Sequence, residues 1–459
     1  MRVLFVYTNV NGFHTDTYSF GIASILSYIL KLGHEARVVI VKNDAEESFV
    51  YKAMGEFMPA VVGLTSVSSQ FYIIKRIASG IKKVAPDTLV VCGGIHPTIY
   101  PECLLETPFL DGIFIGESEL AFGEFLTRVE HNEPYHQTNN FAYLQNGTLI
   151  RNPLNPILKD LDMLPSPDRS IYPYEETVRA TGYAPFSFSR GCPFKCTYCS
   201  NHAIAQLYGN PKDYVRLRSP ESSILEIEST LEKIPYIKTI MISEDLFGIN
   251  KEWRTSFLRL YQERIRQEFM CLLRVNVIDD QFLQLLKNAG CKRISFGVES
   301  GNDYIRNDVM KRNLSKETIV EAFRLTHAYG IETNAINIIG LPGEDEKMIL
   351  DTIMLNREIK PTNSCVNIFF PYRGTVLGDY CVANNLIDIE KYDVPTLERR
   401  ESILRFPKTH LERINYYYQN WQNLVYPYDI KGRLIRLLTN SPFWKLLRKA
   451  KSIASRYID

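Results

Sequence analysis

Twice along this chain, short apolar runs alternate with amphipathic stretches, and no other feature narrows so far the folds open to it. In the first stretch the apolar runs fall at residues 3–8, 36–41, 60–67, 89–94 and 112–116. Segments with apolar residues at helical spacing lie among them, at 20–32, 45–57, 69–84 and 118–129. Continuous apolar strands separated by helices predict a parallel sheet covered on both faces. The expected unit is a doubly wound, flavodoxin- or Rossmann-like α/β domain. Ligands on such sheets bind beyond the carboxyl ends of the strands. Small polar residues collect at those ends, in Thr65-Ser66, Gly93-Gly94-Ile95-His96 and Gly116-Glu117. None of these is a G-x-G-x-x-G fingerprint, so a dinucleotide is not the expected ligand.

Residues 136–183 break the rhythm: a hairpin is predicted to turn at Gln145-Asn146-Gly147, followed by a proline-rich connector through Pro165 and Pro167. The alternation then resumes with a longer period. Strands are expected at 186–191, 238–243, 271–276, 293–299, 333–340 and 365–371, with helices at 219–231, 253–267, 279–289, 316–329 and 345–359. Six consecutive βα units predict a partial (β/α)6 barrel, open where the eight-stranded form closes, with its chemistry at the carboxyl ends of the strands. The expected domains are therefore 1–135, a linker at 136–183, a barrel at 184–385 and a helical extension at 386–459.

Directly after the first barrel strand comes Cys192-x-x-x-Cys196-x-x-Cys199. A cubane [4Fe–4S] cluster normally takes four cysteine ligands. Three would leave one iron open to a small molecule, which suits catalysis rather than electron transfer alone. Structural zinc, the competing reading, usually takes two separated ligand pairs, and no second Cys-x-x-Cys or suitably spaced histidine pair accompanies these three. The other six of the nine cysteines are scattered, which with an oxygen-sensitive cluster points to a reducing cytoplasm. A formal net charge of +1 argues against a dedicated nucleic-acid surface, and no apolar run is long enough to span a bilayer.

The triad, with the aromatic Tyr198 before its last cysteine, resembles the signature of radical S-adenosylmethionine (SAM) proteins, and the two-part chain is similar to those fused to a cobalamin-binding domain. The resemblance implies a cluster held by Cys192, Cys196 and Cys199, whose open iron is chelated by SAM, with Tyr198 packing nearby. Ser243-Glu244-Asp245, at the second strand end, resembles the contact to the SAM amino group, leaving open which carboxylate makes it. Arg274 is implied as the partner of the SAM carboxylate. Gly297-Val298-Glu299-Ser300-Gly301 resembles a family motif in which Glu299, helped by Ser300, accepts from the ribose hydroxyls. Gly340-Leu341-Pro342-Gly343-Glu344 is similar to the adenine-side loop, and Phe369-Phe370-Pro371-Tyr372 to the stretch closing the barrel near substrate. In the first domain the resemblance implies cobalamin contacts at Thr65, Ser66, Gly93, Gly94, His96, Gly116 and Glu117. An Asp-x-His-x-x-Gly motif is missing, the first loop reading Asn9-Val10-Asn11-Gly12-Phe13-His14. That implies base-off cobalamin without a histidine ligand.

Such a protein is expected to cleave SAM to a 5′-deoxyadenosyl radical and to methylate an unactivated carbon of a small-molecule substrate, drawing electrons from a donor such as a flavodoxin or ferredoxin. Oxidative cyclisation or rearrangement is the alternative reaction, and a non-enzymatic cobalamin- or redox-sensing module the alternative class. No individual catalytic side chain is assigned. Past Tyr380 the resemblance fades. The aromatic cluster Tyr416-Tyr417-Tyr418, Trp421, Tyr426 and Tyr428 is expected to pack on the barrel. Residues 431–456 carry eight Lys/Arg and no acid, a basic amphipathic pattern suited to a membrane surface or to docking on its own domain.

Overall fold

The computed structural model describes residues 1–10, 18–172, 174–209, 213–392 and 398–428. Both the basic segment at 431–456 and most of the loop after Val10 lie outside the described residues. Five parallel strands open the chain: β1 (Arg2–Thr8), β2 (Glu35–Val41), β3 (Val61–Thr65), β4 (Leu89–Gly93) and β5 (Gly112–Phe114). They stand in the spatial order β2-β1-β3-β4-β5, as a doubly wound sheet requires. Side chains alternate across it. Val3 and Phe5 pack in one core with helices α1 (Phe20–Lys31) and α5 (Glu119–Glu130). Leu4 and Val6 pack in another with α2 (Glu47–Phe57) and α3 (Phe71–Val84), while the short α4 (Ile95–Ile99) follows β4.

The hairpin expected within the linker, β6 (Phe141–Gln145) and β7 (Thr148–Arg151), instead continues this sheet antiparallel to β5. A lone two-stranded hairpin is marginal in water. Phe141 is fully buried and meets Phe114 and Phe125 at ring-centroid distances of 5.1 and 5.3 Å. Its apolar face thus finds a core at the open edge of β5. The connector beyond is pinned by Arg169, whose guanidinium lies 5.6, 5.1 and 4.6 Å from the rings of Tyr18, Tyr174 and Phe186. Arg169 also pairs with Glu226 at 2.7 Å, so the linker binds both domains. Within it lies α6 (Tyr174–Thr181).

The second sheet is all parallel, ordered β15-β14-β13-β12-β11-β8. Its strands are β8 (Tyr183–Phe186), β11 (Thr239–Ile242), β12 (Glu268–Leu273), β13 (Cys291–Glu299), β14 (Glu332–Ile339) and β15 (Asn363–Ile368), with β9 (Ser189–Arg190) and β10 (Arg216–Leu217) forming a separate antiparallel ribbon. Its helices are α7 (Ser200–Leu207), α8 (Pro220–Lys233), α9 (Lys251–Arg264), α10 (Asp280–Asn288), α11 (Lys316–Ala328), α12 (Glu346–Ile359), α13 (Val376–Ala383) and α14 (Lys408–Val425). This is the expected open (β/α)6 barrel, with one difference at its start. The first strand, expected at 186–191, ends at Phe186. β8 is an edge strand, where Pro185 is tolerated. Past it, the Phe188 N–H donates to Glu244 at 2.9 Å rather than to a ladder, and the chain turns away into the ribbon.

Side-chain caps mark the barrel helices: Ser219, Asn250, Asp279, Ser315 and Asp345 each accept from the N–H three residues on. As expected, the C-terminal aromatics pack. The Trp421 indole N–H donates to Ser364 Oγ of β15 at 2.9 Å, and Tyr417 and Trp421 share a core with Ile339 and Ile368. Tyr416 and Tyr428 stay exposed. One hydrophobic cluster runs from Val3 and Phe5 of the first sheet through Tyr18 and Tyr174 to Phe186 and Phe257 of the barrel.

Candidate functional site between the two domains

The carboxyl ends of both sheets face one another across the cysteine loop. That loop can turn only because Gly191 has φ +89°; a Cβ there would lie 2.5 Å from the Tyr214 carbonyl oxygen. Thr197 anchors the loop, its N–H donating to the Met310 carbonyl at 3.1 Å and its hydroxyl to that of Val309 at 2.7 Å. Cys196 is buried, and Cys192 and Cys199 are half-buried. Burial, partly offset by a backbone N–H, pushes Cys192 up to about 11 and Cys199 up to about 12, and the nearby Asp245 and Cys196 raise both further. Among the described residues no three His, Cys, Asp or Glu side chains converge as a single ion would demand.

Around this loop the strand ends carry polar atoms that are buried and lack hydrogen-bond partners: Ser243 Oγ, Glu244 Oε2, Arg274 Nε, Glu299 Oε2 and Arg312 Nε. Buried polar groups are nearly always paired, so such a gathering marks a ligand's place. Glu244 spends its other oxygen on the Phe188 N–H; burial lifts its pKa to about 7, against the opposing pull of that bond. Asp245 differs. Its side chain is exposed by area yet deep within the protein, so its open surface is that of a cavity, and burial raises its pKa too. Of the two carboxylates, Asp245 therefore faces the cavity and Glu244 holds the backbone. Arg274 stacks 3.5 Å from the Phe194 ring centroid within the cysteine loop and donates to the Arg312 carbonyl. Burial, then the charge of Arg312, lowers its pKa.

Glu299 sits at φ +65°, unusual for a non-glycine residue and typical of constrained functional positions. Burial raises its pKa, against the pull of Arg312. Arg312, which sequence reasoning missed, joins the parts: it donates to Glu299 Oε1 at 3.3 Å, to the Tyr198 hydroxyl at 2.7 Å and to the Gly297 carbonyl at 2.5 Å. No motif surrounds it, and only the fold brings it in. Ser300 does not join the group; its hydroxyl accepts from the Asn302 N–H and lies 3.4 Å from Thr352 Oγ1. At Gly340, φ +79° shapes a loop held by Glu344, the last residue of the sequence motif and given no role there, which accepts from the Gly340 and Leu341 N–H groups at 2.5 and 3.2 Å. These atoms fit SAM, which offers an ammonium, a carboxylate and two ribose hydroxyls.

Between the domains lies a cavity of about 440 Å³, walled by Thr65, Gly93, Gly94, Gly116 and Glu117 from the first sheet and by Phe188, Arg190, Asn201, Tyr214 and Asp245 from the second domain. Gly94 has φ +101°, and a Cβ there would meet Ser66 O at 2.7 Å and Thr65 Oγ1 at 2.8 Å. Thr98, given no role on sequence, ties the glycine loops together by donating to Gly94 O at 2.7 Å and accepting from Gly116 N–H at 3.1 Å. Two expected contacts are absent from this wall. Ser66 donates to the Val67 carbonyl, and His96 is buried against Phe71 with Nδ1 3.0 Å from Ser68 Oγ. Burial pushes His96 down to about 3, so it serves the core as a neutral ring. Glu117 is on the wall, but its carboxylate is taken by Arg190 and Arg216. A glycine-lined, largely apolar wall suits the flat face of a corrin.

A cavity shared by a doubly wound domain and an open barrel that carries a three-cysteine loop defines the class: a two-domain radical SAM fold with a second cofactor site. The B12 binding domain family matches residues 8–126 and the Radical SAM superfamily matches residues 186–355. The chain belongs to the radical SAM enzymes that carry a cobalamin-binding domain, with a [4Fe–4S] cluster, SAM and cobalamin as its cofactors. It is 27% identical to an uncharacterized methyltransferase of Pyrococcus horikoshii, over 79% of this chain and 78% of that one. It is 28% identical to the anaerobic magnesium-protoporphyrin IX monomethyl ester cyclase of Rubrivivax gelatinosus, over 86% and 73%. The solved structure of the methyltransferase TsrM from Kitasatospora setae, with cobalamin and cluster bound, shares its fold at TM-score 0.71 and 17% identity, over 83% of this chain and 75% of that one.

Proposed function

We propose that this enzyme transfers a methyl group to an unactivated carbon of a small-molecule substrate. The observation that carries the reading is a cavity walled by both domains, which runs from the glycine loops of the first sheet to Asp245 beside the cysteine loop. When bound, the cluster supplies the electron that cleaves SAM to a carbon radical, and cobalamin supplies the methyl carrier. Cys192, Cys196 and Cys199 would hold the cluster. Asp245 offers a carboxylate to the SAM ammonium, Arg274 a guanidinium to its carboxylate, and Glu299 an acceptor to the ribose. Arg312 favours the charged form of Glu299 against the opposing effect of burial and holds Tyr198 in place. Gly93 and Gly94 allow close approach of the corrin.

The relatives named as methyltransferases support this reading. A second reading, oxidative cyclisation, is favoured by the cyclase that matches more of this chain. Anaerobic incubation of the reconstituted enzyme with its substrate, SAM and reductant separates them. Methylation yields S-adenosylhomocysteine and 5′-deoxyadenosine in equal amounts, whereas cyclisation yields no S-adenosylhomocysteine. A sensing module without activity yields neither, and that outcome sinks the enzymatic reading. All nine cysteines are free thiols, which supports a reducing cytoplasm supplying electrons from a flavodoxin or ferredoxin. Among the described residues no helix is long and apolar enough to cross a membrane. Peripheral contact through residues 431–456 rests on their basic pattern alone.

A further inference from the structure

Glu117 has a role that its place in the cobalamin-side loop does not suggest. In the ribbon beside the cysteine loop, Arg190 and Arg216 stand directly opposite one another. Like charges at opposed positions of an antiparallel pair repel. Here the counter-charges come from the other domain. Glu117 Oε2 accepts from Arg190 Nη1 and from Arg216 Nη1, each at 3.0 Å, and its second oxygen accepts from Arg216 Nη2. Glu119 accepts from Arg190 Nη2 at 2.5 Å and from Ser24 Oγ at 2.8 Å. Both Arg216 and Glu119 are more than nine-tenths buried, so water screens this network poorly.

A third grip comes from Tyr208, just past α7, whose hydroxyl accepts the Glu117 N–H at 2.8 Å. That hydroxyl fills the space beside Gly116, where a Cβ would lie 2.2 Å from it. The cobalamin-side loop is therefore held by Arg190, two residues before Cys192, by Tyr208, nine residues after Cys199, and by Arg216 across the ribbon. Arg190, Gly116, Glu117 and Glu119 also line the shared cavity.

We infer that Arg190, Arg216, Glu117 and Glu119 form a latch that couples the two cofactor sites. Arg190 is its central positioning residue. Seating a corrin against the Gly116-Glu117 loop fixes the carboxylates that hold the ribbon, and ordering the cysteine loop around its cluster fixes the arginines that hold the corrin loop. Coupling of this kind is reciprocal, and in proteins it commonly amounts to about 5–150-fold in affinity. The inference rests on the assignment of the cavity to cobalamin, and its test separates the two.

The measurement is hydroxocobalamin affinity, by absorbance titration under anaerobic conditions, for the full chain with and without its reconstituted cluster. In the native protein, cluster loading should tighten cobalamin binding by about fivefold or more. In Arg190→Gln the two affinities should coincide, with iron and sulfide content unchanged. Tyr208→Phe, which removes one acceptor and leaves the ion pairs, should reduce the ratio and serves as the readout if Arg190→Gln fails to fold or to load. No cobalamin binding in either form overturns the assignment of the cavity. Binding that is indifferent to the cluster in the native protein, or a ratio unchanged in both variants, overturns the latch alone.

Discussion

Arg312 and Glu299 together show how much a single buried pair controls here. Their side chains are only 8% and 10% exposed, and removing one partner of such a pair typically costs about 3–5 kcal/mol. Arg312→Gln should therefore lower thermal stability and weaken SAM binding at least about tenfold, since the unpaired Glu299 then favours protonation. Pairing it with Glu299→Gln should recover much of the stability but not SAM affinity. Calorimetry and equilibrium dialysis of the single and double variants check both halves. Glu344 sets a pH dependence. Burial lifts its pKa to about 8, even though two backbone N–H groups pull the other way. The native state thus binds this proton more tightly than the unfolded chain does. Its contribution is fully present below the unfolded carboxyl value near 4.5 and is lost as pH rises towards 8. Denaturant titrations should show a loss on the order of 3 kcal/mol between pH 5 and 8, and Glu344→Gln should flatten that decline.

At the scale of elements, the cysteine loop depends on one backbone conformation. Gly191→Ala puts a methyl group against the Tyr214 carbonyl at a positive φ, so it should destabilise the loop by about 1–3 kcal/mol and lower iron retention after reconstitution, with cobalamin retention also reduced if the ribbon shifts. Iron assay and the visible spectrum read both. Most elements were legible in the sequence because their apolar periodicity is strong: β1 to β5 and the five helices α8 to α12 fall within a few residues of expectation. The two misreadings share a cause. Residues 186–191 look like one strand, and the hairpin at 139–152 looks like part of the linker, because apolar pattern reports burial and not the partner against which a segment is buried. Glu244 takes Phe188 away from the sheet, and Phe141 carries the hairpin onto it.

Across the whole molecule, the continuous hydrophobic cluster joining the two sheets, with Arg169 bridging them, leaves little for a flexible hinge. Scanning calorimetry of the full chain should show one unfolding transition rather than two, because domains sharing a core lose stability together; two well-separated transitions would mean that the shared core contributes little. The sequence by itself determined the chemistry. Three cysteines at fixed spacing, acidic residues at strand ends and glycine loops are local features, readable because a ligand contact needs a particular residue type at a particular place. Only the tertiary structure decided how those features are used. It assigned Asp245 to the cavity and Glu244 to the backbone, withdrew His96 and Ser66 into the core, and brought in Arg312 and Arg190. Their counter-charges lie 13 to 73 residues away along the chain. Electrostatic pairing of that kind depends on distance through space, which no local pattern records.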